Sequence, residues 1–350
     1  MVGGFSKRNK GYLIISVITL VVVTLLVFGL NYYNRMYRSN VELDKDKLLF
    51  IPTGSDFNVV VDSIKKNNLV VDLESFIKTA NALGYSNRIK PGCYRIKAGM
   101  SNRTLVRMLI SAMQSPVKVT FNNVRTPEQL AGKIAKHIEA DSISILRLFK
   151  KSDTPDSYGF NDKTLIAMFI PNSYQFYWNT DANSFFDRMK KEHNLFWSKE
   201  RDEKAKAMNL TREEVSTLAS IVEEESNKRD ERSRIAGVYI NRIMKSIPLQ
   251  ADPTIKFALG DFSIKRILTK HLEVKSPYNT YKNNGLPPGP ICCPSISSID
   301  AVLNYENHQY LYFCAKDDFS GYHVFAKTLI EHNRNANAYQ KALNKERIFR

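Results

Sequence analysis

The chain has 350 residues, 43% of them hydrophobic, and 51 lysines and arginines against 35 acidic residues, a formal net charge of +16. This is enough apolar content to bury real cores and enough length for two or three domains. The basic residues are scattered, without a dense run or an arginine-rich aromatic groove, which argues against nucleic acid and leaves anionic lipid or an acidic polymer to match the charge.

Cys93, Cys292, Cys293 and Cys314 form no Cys-x-x-Cys pair, so neither a zinc ribbon nor thioredoxin chemistry is expected. Cys292 and Cys293 are neighbours and poorly placed to bridge each other. An export compartment would permit a bridge to Cys93 or Cys314, but small buried thiols are the simpler expectation. Six histidines are spread along the chain with no His-Glu-x-x-His, so no metal and no cofactor are expected.

From Gly11 to Asn34 no residue is charged, and Tyr12–Leu30 is almost wholly apolar. Nineteen helical residues span about 28 Å, close to a bilayer's hydrocarbon thickness. A signal peptide is the alternative, but Asn31-Tyr-Tyr-Asn-Arg-Met-Tyr37 follows as an aromatic interfacial belt with no small-x-small cleavage site. The expectation is an uncleaved single-pass anchor over 11–33. Lys7, Arg8 and Lys10 before it favour a cytoplasmic tail, residues 1–10, over Arg35 and Arg38 with their acidic followers. The rest is then exported beyond the cell (inner) membrane, beginning with a polar stalk over 34–47.

From Leu48 the pattern reads strand, helix, helix, strand, helix. Leu48–Ile51 is the first strand, Val59–Lys66 and Leu73–Leu83 are helical, and Lys90-Pro-Gly92 breaks the chain before the strand Cys93–Ile96. Ser101–Met113 carries Leu105, Met108, Leu109 and Ala112 on one face. This arrangement over 48–116 resembles the LysM-like glycan-binding module. A connecting α+β region, 117–205, holds the strand Val117–Val124, helices Pro127–His137, Ser142–Lys150 and Asn183–Phe196, and the aromatic run Ile170–Trp178. Such a run is more often core than site, though flat rings also stack on sugar faces.

Thr211 and Glu214 form a capping box, with Leu210 and Val215 as a hydrophobic staple. The helix they start puts Val215, Leu218, Ala219 and Val222 on one stripe. With Val222 at zero, Glu223 lies roughly 100° away and Glu224 roughly 160° away, whereas Glu225 lies only about 60° away. Glu225 is therefore expected to face core or cleft while its two neighbours look outward. A carboxylic acid against apolar walls has a raised pKa and can carry a proton at neutral pH. The plainer possibility is a surface salt bridge to Arg229 at i+4.

A second helix, about 230–245, has Ile235, Ala236, Tyr239, Ile240 and Ile243 inward. Asp252 and Pro253 then fit a helix N-terminus. Ser276–Pro290 is long, turn-rich and without periodicity, and inside a compact domain such a stretch is usually functional. Its Asn279 and Tyr281 suit sugar hydroxyls. Gln309–Ala315 reads as a buried strand, with Gly321–Phe325 its hairpin partner.

Ala219-Ser-Ile-Val-Glu-Glu-Glu225, Leu249-Gln-Ala-Asp-Pro-Thr254, Tyr278-Asn-Thr-Tyr281 with Gly285-Leu-Pro-Pro-Gly289, and Tyr310–Phe313 through His323-Val-Phe325 to Glu331-His-Asn333 resemble the endolytic murein transglycosylases of the MltG/YceG type. Ile291-Cys-Cys-Pro-Ser295 departs from the family's usual small or polar residues there. The resemblance implies an α+β protein with a catalytic domain over 206–345, and one catalytic glutamate, the second of a Glu-x-Glu pair, at Glu225. It implies a lyase acting on peptidoglycan glycan strands, with peptidoglycan synthases (penicillin-binding proteins) as partners. Glu225 would protonate the bond between N-acetylmuramic acid and N-acetylglucosamine, then take the C6 hydroxyl proton as a 1,6-anhydro ring closes. Gln250, Asp252, Asn279 and Tyr281 are the expected substrate-positioning residues. Two rivals stay open: a hydrolase using water and a second carboxylate, Glu223, Asp252 or Asp261, and a non-catalytic, membrane-tethered glycan-binding scaffold.

Overall fold

The computed structural model of the chain describes residues 7–264 and 266–346, so the expected tail lies outside the described residues up to Ser6. Helix α1 (Lys7–Tyr37) contains a span, Gly11–Tyr37, long and apolar enough to cross a membrane. Its two threonines are satisfied within the helix, as a lipid environment requires. Thr19 donates to the Ile15 carbonyl at 2.9 Å and Thr24 to that of Leu20 at 2.7 Å.

Mixed α and β elements follow, in two compact units: Met1–Val117 with Gln175–Asn179, and Lys118–Tyr174 with Thr180–Arg350. In the first, β1 (Lys47–Ile51) pairs antiparallel with β2 (Gly92–Ile96), Leu49 opposite Tyr94. Between them come α2 (Phe57–Lys66) and α3 (Leu73–Ala82), capped by Asp56 and Asp72, and after β2 comes α4 (Asn102–Ile110), capped by Ser101. Leu49, Ile64, Phe76, Tyr94, Leu105 and Leu109 form the core. Helix α4 stops before the expected Met113 because Ala112 takes a left-handed φ of 51°.

The segment read as a stalk is not free along its length. It is helical to Tyr37, and Met36, Asn40 and Val41 are buried. Asn40 explains how polar residues stay inside. Its Oδ1 accepts from Asp72 N, and its Nδ2 donates to Asp72 O and Asn102 Oδ1, all at 2.7 Å. Asn102 Nδ2 in turn donates to the Arg35 carbonyl at 3.0 Å.

The remaining elements are β3 (Val117–Thr120), α5 (Pro127–Ile134), α6 (Ser142–Lys150), α7 (Thr154–Ser157), β4 (Ser173–Phe176), α8 (Ala182–Phe196), α9 (Lys199–Ala207), α10 (Arg212–Glu225), α11 (Arg232–Met244), α12 (Asp252–Leu259), α13 (Ile296–Leu303), β5 (Tyr312–Ala315), β6 (His323–Ala326) and α14 (Leu329–Lys345). Most of the stretch read as a connecting region falls in the second unit with residues 206–345, while Val117 and Gln175–Asn179 belong to the first. Strands β5 and β6 form the expected hairpin, Phe313 opposite Phe325, though half-buried rather than buried.

Helix α10 is the centre of this unit. Its capping box forms as expected, but every residue from Val215 to Val222 is buried, not one stripe alone. Its polar members are tolerated because their hydroxyls bond back to the helix. Ser216 donates to Arg212 O, Thr217 to Glu213 O and Ser220 to Thr217 O, at 2.7–2.8 Å. Helices α11 and α13 pack against it through Ile235, Ala236, Ile299 and Val302.

Asn40→Leu should strip two backbone groups of Asp72 and the Asn102 amide of their partners, at about 2–3 kcal/mol. Calorimetry should show the first unit melting earlier while the second is unchanged. An unshifted first transition would mean that Asn40 does not tie the end of α1 to the module.

Candidate active site

Glu225 is the last residue of α10, and Ser226 after it is extended (φ −143°, ψ 134°). The helix ends there, so Arg229 is not one turn further along it, as the plainer alternative of a surface bridge required. The three consecutive glutamates crowd the negative end of the helix dipole, where carboxylates are disfavoured. Two are given partners. Glu223 Oε2 accepts from Ser295 N at 2.5 Å, and Glu224 receives Arg125 through Nε and Nη2 at 2.8–3.2 Å. Both are partly buried rather than outward-looking. Arg232 Nε closes the turn by donating to Ser226 O at 3.2 Å.

Glu225 is treated differently. It is half-buried and lines a cavity of about 430 Å³. Its Oε1 accepts from Tyr239 Oη at 2.6 Å, and Oε2 has no partner among the described residues. Burial, opposed by the Tyr239 bond and reinforced by Asp252, pushes its pKa up from 4.5 to about 7. An acid poised there can both give and take a proton at neutral pH, with Oε2 the free oxygen.

Tyr239 comes from the inward face of α11, where it was read as core. It is buried and edge-on to Phe313, their centroids 5.8 Å apart, and its phenol is pushed up by burial and the Glu225 charge. A buried tyrosine hydroxyl needs a partner, and that is the signal that could have found it. One turn on, Arg242 is also buried. It donates through Nη1 to Leu249 O at 3.1 Å and through Nη2 to Gln250 Oε1 at 2.7 Å. Gln250 thus lines the cavity with its amide oxygen spoken for and its backbone left-handed (φ 52°).

Asp252 also lines the cavity. The cap of α12 is Ala251, and Asp252 is the first helical residue, near the positive end of the dipole. Its Oδ1 accepts from Tyr281 Oη at 2.5 Å. Four of the five expected residues, Glu225, Gln250, Asp252 and Tyr281, therefore share one cavity. Asn279 does not join them. It is fully buried, its Nδ2 donating to Leu272 O and Val274 O at 2.9 Å and its Oδ1 accepting from Tyr281 N at 3.0 Å. It shapes the turn that presents Tyr281.

The opposite wall is the β5–β6 hairpin with α14: Tyr312, Phe313, Cys314, Ala315, His323 and His332. The His332 ring stacks on Tyr312 at 5.4 Å, and burial lowers its pKa. The aromatic run 170–178 takes no part: Tyr174 stacks on Phe121 and its hydroxyl donates to Ile170 O. Cys93, Cys292, Cys293 and Cys314 are free thiols, the first three buried, and no cluster of metal-binding side chains occurs among the described residues.

The raised pKa has a stability consequence with a definite sign. Below pH 4.5 Glu225 is protonated whether the chain is folded or not. Between 4.5 and about 7 the unfolded chain ionises while the folded one does not, so native stability is lost through this window. Glu225→Gln keeps an acceptor for Tyr239 and removes the titration. The variant should gain on the native chain as pH rises from 4.5, levelling off near 7 at roughly 1–3 kcal/mol. Denaturant melts at pH 4.5 and 8 check it, and a constant difference would place Glu225 in ordinary solvent.

The model of the YceG-like family matches residues 49–338. An endolytic murein transglycosylase of Bacillus subtilis is 32% identical over 345 residues, 92% of this chain and 93% of the relative. One from Streptococcus pneumoniae is 28% identical over 327 residues, 81% of this chain and 57% of the relative. A crystal structure of a yceG-like protein from Listeria monocytogenes superposes with a TM-score of 0.57 at 28% identity, covering 83% of this chain and 99% of that one. Of the motifs that carried the resemblance in sequence, all but Gly285–Gly289 place at least one residue on the walls of this cavity. The chain belongs to the YceG-like family.

Proposed function

We propose that the protein is a membrane-anchored endolytic murein transglycosylase that cuts the bond between N-acetylmuramic acid and N-acetylglucosamine inside nascent glycan strands. The observation that carries the reading is Glu225: one carboxyl group with a near-neutral pKa and one free oxygen, in a cavity of sugar-sized dimensions. Protonated Glu225 gives its proton to the glycosidic oxygen as that bond breaks. The resulting carboxylate takes the proton of the C6 hydroxyl, whose oxygen bonds to C1 and closes a 1,6-anhydro ring. The nucleophile belongs to the bound sugar itself, so its effective concentration is high and no second base is required. Tyr239 holds the carboxylate in place through both steps.

Asp252 favours a second reading. It puts another carboxylate in the cavity, which a water-using hydrolase would need. Its engagement by Tyr281 fits a positioning role better. We further read the βααβ order and the antiparallel β1–β2 pair of the first unit as a LysM-like glycan-binding module, and α1 as an uncleaved anchor with the N-terminus cytoplasmic. Peptidoglycan synthases are the partners this reading implies.

Glu225→Gln should lower strand cleavage by at least about a hundredfold while the fold persists. In the native chain kcat/KM should fall as pH rises above about 7, as the acid form is lost. Digestion in heavy-oxygen water decides between the two routes. The new muramic end should carry no label and resist borohydride, whereas label there would make Asp252 a water-activating base.

Orientation is checked separately. A C-terminal reporter active only in the cytoplasm should stay silent on the full chain, and a working reporter would reverse the topology.

A further inference from the structure

One cluster of ionisable side chains at the cavity is not used by the reaction as proposed. Glu231 lies in the turn between α10 and α11 and is 5% exposed. Its Oε1 accepts from Ser226 Oγ at 2.6 Å and sits 2.7 Å from His323 Nδ1, and its Oε2 accepts from His323 N at 3.1 Å. Ser226 Oγ itself accepts from Lys228 N at 3.0 Å, so its hydrogen is committed to Glu231. Ser226 is the residue next to Glu225. One carboxylate thus gathers three donors, two of them from the first residue of β6, the far wall of the cavity.

The consequence falls on the imidazole. A carboxylate accepts and does not donate, so Nδ1 carries the ring hydrogen and, in the neutral ring, Nε2 presents a lone pair. Nε2 has no partner among the described residues and is not among the atoms sealed from solvent, and His323 lines the cavity with Glu225. Phe313, edge-on at 5.3 Å, fixes the ring plane. A histidine needed only to staple β6 to the turn would not need a second nitrogen left open to the cavity.

We propose that His323 is a substrate-binding residue, its Nε2 accepting a hydrogen bond from a hydroxyl or acetamido N–H of the bound glycan, and that Glu231 is the positioning residue that holds it in this tautomer. The inference rests on the reading of the cavity as a glycan site. It also gives the two walls a shared support, because the carboxylate that orients His323 anchors the residue beside Glu225.

The test uses the full chain in detergent micelles, carrying Glu225→Gln to stop turnover, with 15N in its histidine rings. The probe is soluble, uncrosslinked strands of alternating N-acetylglucosamine and N-acetylmuramic acid. His323 should show a protonated Nδ1 and a bare Nε2, and the strands should move the Nε2 resonance towards the protonated side while Nδ1 stays in place. With Glu225 intact, His323→Gln should raise KM roughly fivefold to tenfold, the worth of one neutral hydrogen bond, with a smaller change in kcat. Glu231→Gln, which does not line the cavity, should shift KM in the same direction and mix the two tautomers. An Nε2 resonance unmoved at saturating strands, or an unchanged KM in folded His323→Gln, overturns the proposal. Should that variant not fold, the spectrum of the histidine-intact chain decides alone, its His323 signals assigned through the Phe313 ring. Strands that are bound and cut with a silent His323 sink this inference only. Strands neither bound nor cut sink the function and the assigned ligand of His323 together.

Discussion

The site depends on where α10 stops. A helix buried on nearly every side ends in three consecutive glutamates, at the end of the dipole that least tolerates them. Left alone, that sequence would fray. It holds because Arg125 and the Ser295 amide take two of the charges and Arg232 closes the turn, which leaves the third glutamate to face the cavity. The unfavourable placement and the raised pKa have one origin: a carboxyl group short of both solvent and counter-charge keeps its proton longer.

The rest of the cavity is arranged around that end. Tyr239 supplies a single hydrogen bond, enough to orient the carboxyl but too little to bring its pKa back to the ordinary range. Asp252 works against ionisation from the start of α12, and Tyr281 holds Asp252. Asn279, whose amide is spent on two backbone carbonyls, fixes the turn that presents Tyr281. A chain of small polar contacts thus runs from the long aperiodic loop to Asp252, whose charge acts on the acid. This explains why that loop keeps its shape without regular structure.

Some elements and placements escaped the sequence for a common reason. Helix α9 carries almost no apolar pattern, since only Ala205 is buried, so periodicity could not reveal it. Helix α13, packed against α10, buries Ser298 beside Ile299 and Val302, and that hydroxyl is met by Arg232, 66 positions away. Glu223 and Glu224 looked outward on a helical wheel, which knows the angle of a side chain but not what lies beyond it. In the stretch read as a stalk, Asn40 is polar in sequence and buried in fact because its partners lie 32 and 62 positions away.

The sequence by itself determined the apolar span, the presence of the main capped helices though not all of their ends, the β5–β6 hairpin and the setting of Glu225 apart from its two neighbours. Each depends on residues within a few positions of one another, where spacing and capping act directly. Only the tertiary structure decided that Tyr239, Arg242, His323 and His332 share a cavity with Glu225, and that Asn279 does not. Tyr239 meets Glu225 across 14 positions and His323 meets Glu231 across 92, and a buried hydrogen bond leaves no local trace in sequence until the chain has closed around it.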